Sequence, residues 1–474
     1  MPSSPFLKKA DFDFNITENI LLQDTPPDSP ISFRTPRDES HQEFFDPTAS
    51  YSVQYQGHTV HIDPIDWRHS SLLVSQIACC FFIFSLAGLA DQTIGTLMPM
   101  LVEHFHASQT RVTTIFMVGF LGYTTAAFVN EKLHSKFGRR GVLLIGCLGP
   151  IITYAINSTH DSLPLFVSVY IIVGFGNGLV GNAVNVFLSS VTDHNEMMGM
   201  LHGFYGVGSI ISPPLVSWIA ANWGYKLFYM ILSSLYILAF IGFSMFFKHE
   251  TKWKYAYNMR STGEDGVEME PTSGLDMIKN KMILAFCTYL FFYVGGEISI
   301  GSWLLTYLKD MKGLEQLEAS IVVSWFWFGL TFGRMSLAFL TKKFRSEYSA
   351  NKWYGWLSWV TYTVFLMFSM TYDGDNFSLL AKPLVFIAGV FIGPLYPTAS
   401  VVLFKLLPIH QQVSGVGIAS SIGGSGSAVV PFIVGASARS LGFKWLLVII
   451  DIVLFVYCLV WEAVPTLAGI KKSW

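Results

Sequence analysis

One carboxylate stands in the middle of a long apolar run. Glu297 lies in Gly295-Gly-Glu-Ile-Ser-Ile-Gly301, inside a segment from about Met282 to Leu308, and no other charged side chain follows it before Lys309. A carboxylate near the centre of a bilayer costs roughly 3 kcal/mol on insertion scales, so such groups face a cavity or a partner and carry function. The pattern recurs upstream as Asp91-Gln-Thr-Ile-Gly95, again acid, any residue, hydroxyl, Ile, Gly. Acids at matched places in two halves imply a polar path between them. Glu297 is the first candidate for handling a proton and Asp91 the second.

Other residues on the apolar segments suit an uncharged polar solute. In the fourth segment Asn177 and Asn185 recur with Gly181 at i, i+4 and i+8, and Asn182 joins Gly174 and Gly178 on the adjacent stripe. Amides offer donors and acceptors together, as the hydroxyls of a neutral sugar require. The same amides would also serve hydrogen bonding between helices beside a small-residue seam, worth about 1 kcal/mol each. Gln92, next to Asp91, is a further binding candidate. Tyr293, Trp303, Tyr307, Trp325, Trp327 and Tyr396 are rings on which a sugar could stack. Among them Trp303 and Tyr396 flank Glu297 and the break Gly393-Pro-Leu-Tyr-Pro397. A break of that kind frees carbonyls, which are tolerated only where they line protein or a cavity.

Arg334 falls two turns inside the inner end of the eighth segment and is expected to act as a gate contact. His202, near the inner end of the fifth, is expected either to relay a proton or to hydrogen-bond Glu196. Asp451 interrupts the last segment without an evident role. No His-Glu-x-x-His, Gly-x-Ser-x-Gly or phosphate loop occurs. No catalytic residue, metal site or cofactor is therefore expected, and the chain does not read as an enzyme.

These residues need elements that cross a bilayer. Of the 474 residues 52% are hydrophobic and only 13% charged, half the charged share of soluble domains, which is about 25%. The net charge of −2 gives no reason to expect a nucleic-acid partner, and the five cysteines fall within apolar runs as small buried hydrophobes. About 20 apolar residues span a bilayer. Twelve such segments are expected, near 72–102, 110–131, 141–157, 163–190, 197–221, 225–247, 280–307, 318–340, 353–370, 379–406, 411–437 and 443–463. The expected organisation is a disordered tail over 1–70, a six-helix bundle over 71–248, a polar linker over 249–278, a second six-helix bundle over 279–464 and a short tail over 465–474. Basic residues gather in the loops on the N-terminal side of the membrane, so both termini are expected in the cytoplasm. With no signal peptide in view the plasma membrane is the expected home and the vacuolar membrane the alternative. A monomer in lipid, a small-molecule solute and a proton as second passenger complete the expected partners.

The halves repeat. Besides the acids, which lie about 206 positions apart, Gly174-x-x-x-Gly178 matches Gly389-x-x-x-Gly393, Gly206-Val-Gly208 with Pro213 matches Gly424-Ser-Gly426 with Pro431, and Asn222-Trp-Gly-Tyr-Lys226 matches Ser440-Leu-Gly-Phe-Lys444. Parallel six-helix repeats describe the major facilitator architecture, with its solute site at mid-depth between halves.

Particular motifs narrow the resemblance. Lys136-Phe-Gly-Arg-Arg140 resembles the tail of the major facilitator loop motif, with Ser135 where an Asp is usual and Glu131 where a Gly is usual. That resemblance makes Lys136, Arg139 and Arg140 gating candidates. Tyr293-Val-Gly-Gly-Glu297 through Trp303, Phe328-Gly-Leu-Thr-Phe-Gly-Arg334, Leu201-His-Gly-Phe-Tyr-Gly206 and Gly393-Pro-Leu-Tyr-Pro397 are together similar to the fucose permease-like, sugar:proton symporter-type branch in a fungal version, over about residues 72–464. The resemblance implies twelve helices, a sugar-like solute and alternating access. In that branch acids on the first and fourth helices are thought to handle the proton. Here Gly181 stands about where the fourth-helix acid would be, so either Asp91 and Glu297 share the task or transport is uncoupled. The alternatives are a carrier of a carboxylate, drug or lipid, and a transporter-like nutrient sensor.

Overall fold

In hydrocarbon every backbone N–H and C=O must be satisfied within the protein, and an apolar run does this by becoming a helix. The computed structural model describes residues 49–258, 280–341, 343–407 and 409–467. The first half holds α1 (Ser71–His104), α2 (Gln109–Thr159), α3 (Leu163–Ser168), α4 (Tyr170–Ser189), α5 (His194–Trp223) and α6 (Tyr225–Phe246). A short α7 (Lys252–Asn258) follows. The second half holds α8 (Lys281–Lys312), α9 (Gln316–Thr341), α10 (Glu347–Thr371), α11 (Phe377–Ile392), α12 (Leu395–Leu406), α13 (Ile409–Gly424), α14 (Gly426–Leu441) and α15 (Leu446–Leu467). The continuous span of α2 hides a turn at Gly138 (φ 70°, ψ 175°), which separates two membrane-crossing lengths.

Ten stretches of helix among the described residues are long and apolar enough to cross a membrane. α9 and α10, 26 and 25 residues long, are not among them. They are rich in Trp, Tyr, Ser and Thr, which a hydropathy index ranks low. Large side chains such as Met230, Leu238, Ile433 and Ile452 stay half exposed along the helices, as contact with lipid tails allows.

The repeat governs how the helices pack. A Cβ on Gly208 of α5 would strike the Ser85 carbonyl of α1, and one on Gly426 of α14 would strike the Phe291 carbonyl of α8. Ser85 and Phe291 share the spacing that separates the two acids. Likewise Gly174 of α4 meets Gly119 of α2, and Gly389 of α11 meets Phe326 of α9. Small residues let these backbones touch, the principal means of helix association where no hydrophobic effect acts.

The expected disordered tail does not reach residue 70. Tyr51–Tyr55 (β1) and His58–Ile62 (β2) form an antiparallel hairpin, followed by a single 3-10 turn over Trp67–His69. Partners distant in sequence hold it. Asp63 accepts from His249 Nδ1 and Lys254 Nζ, both at 2.8 Å. The His58 ring stacks on Trp253 at 3.9 Å, and Trp67 Nε1 and Arg68 reach Asp193 at 3.1 and 2.6 Å. The expected linker is likewise ordered through Asn258. The rest of the expected tail and linker, 1–48 and 259–278, and the C-terminal tail from 468 lie outside the described residues.

The hairpin marks one side of the membrane. On the opposite, far side the halves are bonded to each other. Gly95 of α1 lies against the Ser302 backbone of α8. Gln316 Nε2 donates to the Thr96 carbonyl (2.8 Å) and to Ser217 Oγ (3.3 Å). Ser324 Oγ donates to the Ile210 carbonyl at 2.8 Å, and Arg439 reaches Thr110 Oγ1 at 3.3 Å. Pro214 explains the third of these, because it has no N–H to offer the carbonyl four residues back. Ser324 satisfies the oxygen thus orphaned.

Candidate functional site

Glu297 is buried at mid-helix in α8, with 6% of its surface exposed. One turn earlier on the same helix, the Tyr293 hydroxyl donates to its Oε2. Arg334 of α9 brings Nη2 within 3.5 Å of both Glu297 Oε1 and the Tyr293 hydroxyl. The guanidinium is itself held, since Nε donates to the Gly393 carbonyl at 3.1 Å. Pro397 lies four residues beyond Gly393 and orphans that oxygen just as Pro214 orphans Ile210. The Gly-Pro-Leu-Tyr-Pro break thus fixes the arginine that neutralises Glu297. A buried pair of this kind survives only when the remaining donors and acceptors are also met.

This arrangement corrects the expectation for Arg334. Its Cα lies toward the hairpin side, but its long side chain carries the charge back to the depth of Glu297. It is a partner of the central acid.

Asp91 sits on α1 in the other half. Tyr205 of α5 donates to its Oδ2 at 2.9 Å. Although it lies deep within a long helix, Asp91 is exposed. Tyr205 belongs to the Leu201–Gly206 motif yet was not among the expected site residues. A hydroxyl one helix away has no signature in spacing.

The expected solute contacts divide. Gln92 is buried, with Oε1 directed at Gly301 of the other half. Tyr396 is partly buried, its ring 6.5 Å from those of Tyr293 and His202. Asn182 is exposed, and Asn177 and Asn185 are half-buried, on a helix that packs on α2 within its own half. Asn185 donates locally to the Gly181 carbonyl at 2.7 Å. Nothing lies within 4 Å of where a Gly181 side chain would be.

Trp303 departs from expectation. It is wholly buried in the second half, donating from Nε1 to the Pro431 carbonyl at 2.9 Å and filling the space left by Gly435. Six residues beyond Glu297, it emerges from a different face of the helix. It is a packing residue.

Neither expected role of His202 is formed. Its ring packs edge-on to Phe84, and Glu196 is exposed one and a half turns away.

Arg139 and Arg140 do not reach the other half either. Arg139 pairs with Glu250 at 2.5 Å, and Arg140 donates to Ser244 Oγ at 3.2 Å. Lys136 is exposed over the Phe137 ring. Gly138 is needed between them: its φ is positive, and the backbone of Glu250, Thr251 and Lys252 crosses where a Cβ would lie. In this state the motif staples the first half to the segment after α6.

Asp451 now has an account, for it accepts from Thr363 Oγ1 (2.8 Å) and Trp359 Nε1 (3.3 Å), tying α15 to α10.

A sequence profile described as Major Facilitator Superfamily matches residues 80–372. "Bypass of stop codon protein 6" of Saccharomyces cerevisiae is 34% identical over 433 residues, covering 87% of each chain. "Glucose/mannose transporter GlcP" of Bacillus subtilis is 23% identical over 363 residues, 75% of this chain and 86% of its own. The crystal structure of a mutant of nucleoside transporter NupG matches with a TM-score of 0.66 at 15% identity, covering 83% of this chain and all of that one. At that identity the likeness speaks for the fold alone.

Proposed function

The chain belongs to the major facilitator superfamily, and from that premise we propose that it carries a small polar solute, a sugar first, along the seam between its halves by alternating access. One observation carries the reading. At matched positions each half places an acid beside the seam, Asp91 held by Tyr205 and Glu297 by Tyr293 and Arg334. The far side is bonded shut, and Asp91, held by the first half, is exposed. We read this as the state open to the hairpin side.

In this account the solute arriving from the hairpin side meets Asp91, Tyr396 and the α4 amides, and its exchange for the far side requires the Gln316, Ser324 and Arg439 bonds to break. Glu297 and Asp91 are the groups on which a proton would ride, in symport or not at all. Two supports favour a sugar: the amide-rich α4, and a relative named for glucose and mannose. The fucose permease-like branch in a fungal version, twelve spans, a monomer, cytoplasmic termini and the plasma membrane, with the vacuolar membrane as alternative, belong to the same proposal. A second reading, an acidic solute, is favoured by the Arg334 guanidinium beside Glu297.

The test is the melting temperature of the purified protein against hexoses, deoxyhexoses, carboxylates and nucleosides at high millimolar concentration. A solute at 100 times its Kd stabilises the fold by about 2.7 kcal/mol. A shift with a hexose supports the first reading and a shift with a carboxylate alone the second. A shift with neither class overturns both.

A further inference from the structure

One turn farther from the hairpin side than Glu297, the seam holds a polar group with no partner. Trp327 of α9 is wholly buried, and its Nε1–H meets no acceptor among the described residues. The six-membered edge of its indole, beside that nitrogen, lies over Gly301. A Cβ at Gly301 would fall 2.5 Å from Trp327 Cζ2, 3.1 Å from Cε2 and 2.8 Å from Gln92 Oε1. Gln92 comes from the first half, Gly301 and Trp327 from the second. The ring that carries the lone donor and a primary amide from the other half therefore meet over a residue with no side chain. Gly301 follows Glu297 by one turn of α8, and Trp327 precedes Arg334 by two turns of α9, so both lie on the faces that carry the charged pair.

Native proteins rarely leave a buried donor unpaired, and each such group calls for an explanation. Packing explains the ring but not the nitrogen, since a phenylalanine would fill space without an orphan. The geometry explains it, because this state hides the group. Gly95–Ser302 and Gln316–Thr96 close the seam immediately beyond it.

Resting on the reading that the seam is the solute path, we propose that Trp327 Nε1–H and the Gln92 amide form a second solute subsite, which opens when the far side opens. The subsite takes a neutral hydroxyl. The indole donates to the hydroxyl oxygen, and the Gln92 carbonyl oxygen accepts its hydrogen. Neither group carries charge, so the subsite gives no advantage to a carboxylate or an ammonium. A solute held by Glu297 and Asp91 at one end is thus read for a hydroxyl at the other.

The experiment titrates full-length protein with D-glucose and each of its monodeoxy analogues, following melting temperature, for wild type, Trp327→Phe and Gln92→Leu. Trp327→Phe keeps an aromatic ring, smaller than the indole, and removes the donor. We expect the Kd for D-glucose to rise about tenfold in each variant, with one analogue bound by wild type and both variants within about twofold. Equal affinities of wild type and variants for every compound, or an equal loss for every compound, overturn the subsite. A wild type that binds no hexose defeats the sugar reading by itself, and a second arm then decides the subsite. In a background lacking Cys79, Cys80, Cys147, Cys287 and Cys458, Gln92→Cys is exposed in vesicles to a membrane-impermeant thiol reagent from each side. Labelling from the far side supports the subsite. Labelling from the hairpin side only, or from neither, overturns it.

Discussion

Glu297 and Arg334 are better regarded as one unit than as two site residues. Removing one member leaves the other charge buried and unpaired, a loss of about 3–5 kcal/mol, whereas replacing both with neutral groups of similar shape costs far less. Thermal unfolding should therefore show Glu297→Gln and Arg334→Gln each strongly destabilised and the double variant recovering most of the loss. Additive losses would mean the pair is not formed. Asp91 should behave differently. Its exposure lets water replace the Tyr205 hydroxyl, so Tyr205→Phe should cost under about 1 kcal/mol in the same assay. Both acids were legible as sequence because a carboxylate in an apolar run stands out from its surroundings. Arg334 was legible as a residue but not as a partner, since spacing locates a Cα and a long side chain shifts its charge by more than one helical turn. Trp303 was misread for a related reason: proximity to Glu297 along the chain says nothing about which face of α8 it leaves.

Elements were legible where they repeat. Gly174 and Gly389 match in sequence and do the same work in space, letting α4 touch α2 and α11 touch α9. Valine at either position should separate the helices and cost about 1–3 kcal/mol by overpacking, in similar measure for both, as unfolding in detergent would show. The hairpin was not legible. Two five-residue strands with alternating exposure cannot stand alone in water, and what holds them lies some 190 positions on, in His249, Glu250 and Lys254. Burial works against the charge of Glu250, yet Arg139 and Lys254 outweigh it and bring its carboxyl down from 4.5 to about 2. Burial likewise opposes the charge of Lys254, but Glu250 and Asp63 raise it above its ordinary 10.5. The Glu250 contribution is thus complete above pH 4.5 and is lost only as pH falls through about 2, while that of Lys254 holds up to its raised value. Hydrogen exchange across Tyr51–Ile62, corrected for its intrinsic pH dependence, should show protection at pH 5 no lower than at pH 9, since protonation of His249 can only strengthen its pair with Asp63. Glu250→Gln should lose that protection at both. Protection that collapses by pH 5 in the wild type would place the anchor elsewhere.

For the whole molecule, the hydrogen bonds that join the halves among the described residues sit on the far side, and alternating access asks that they be temporary. The Ser324 bond is the most informative of them. Ser324→Ala returns the Ile210 carbonyl, freed by Pro214, to an unpaired state and so weakens only the closed form of the far side. A thiol placed at Thr110 in the cysteine-free background should then be labelled from the far side severalfold faster than in the parent, and an unchanged rate would mean that side does not open there. The architecture itself was legible at this scale, because two repeats with matched acids and glycines fold in few ways. Which side stands closed was not, since both states share one sequence and one set of helices.

The central claim is that a solute crosses at the seam and that Glu297 governs its passage. Uptake of radiolabelled D-glucose into proteoliposomes, with and without an inward proton gradient, tests it most directly. The account predicts saturable uptake by the wild type that falls at least tenfold in Glu297→Gln and is unchanged in Trp303→Phe, a packing position. Uptake in Glu297→Gln equal to that of the wild type, or no uptake of any solute that shifts the melting temperature, would contradict it.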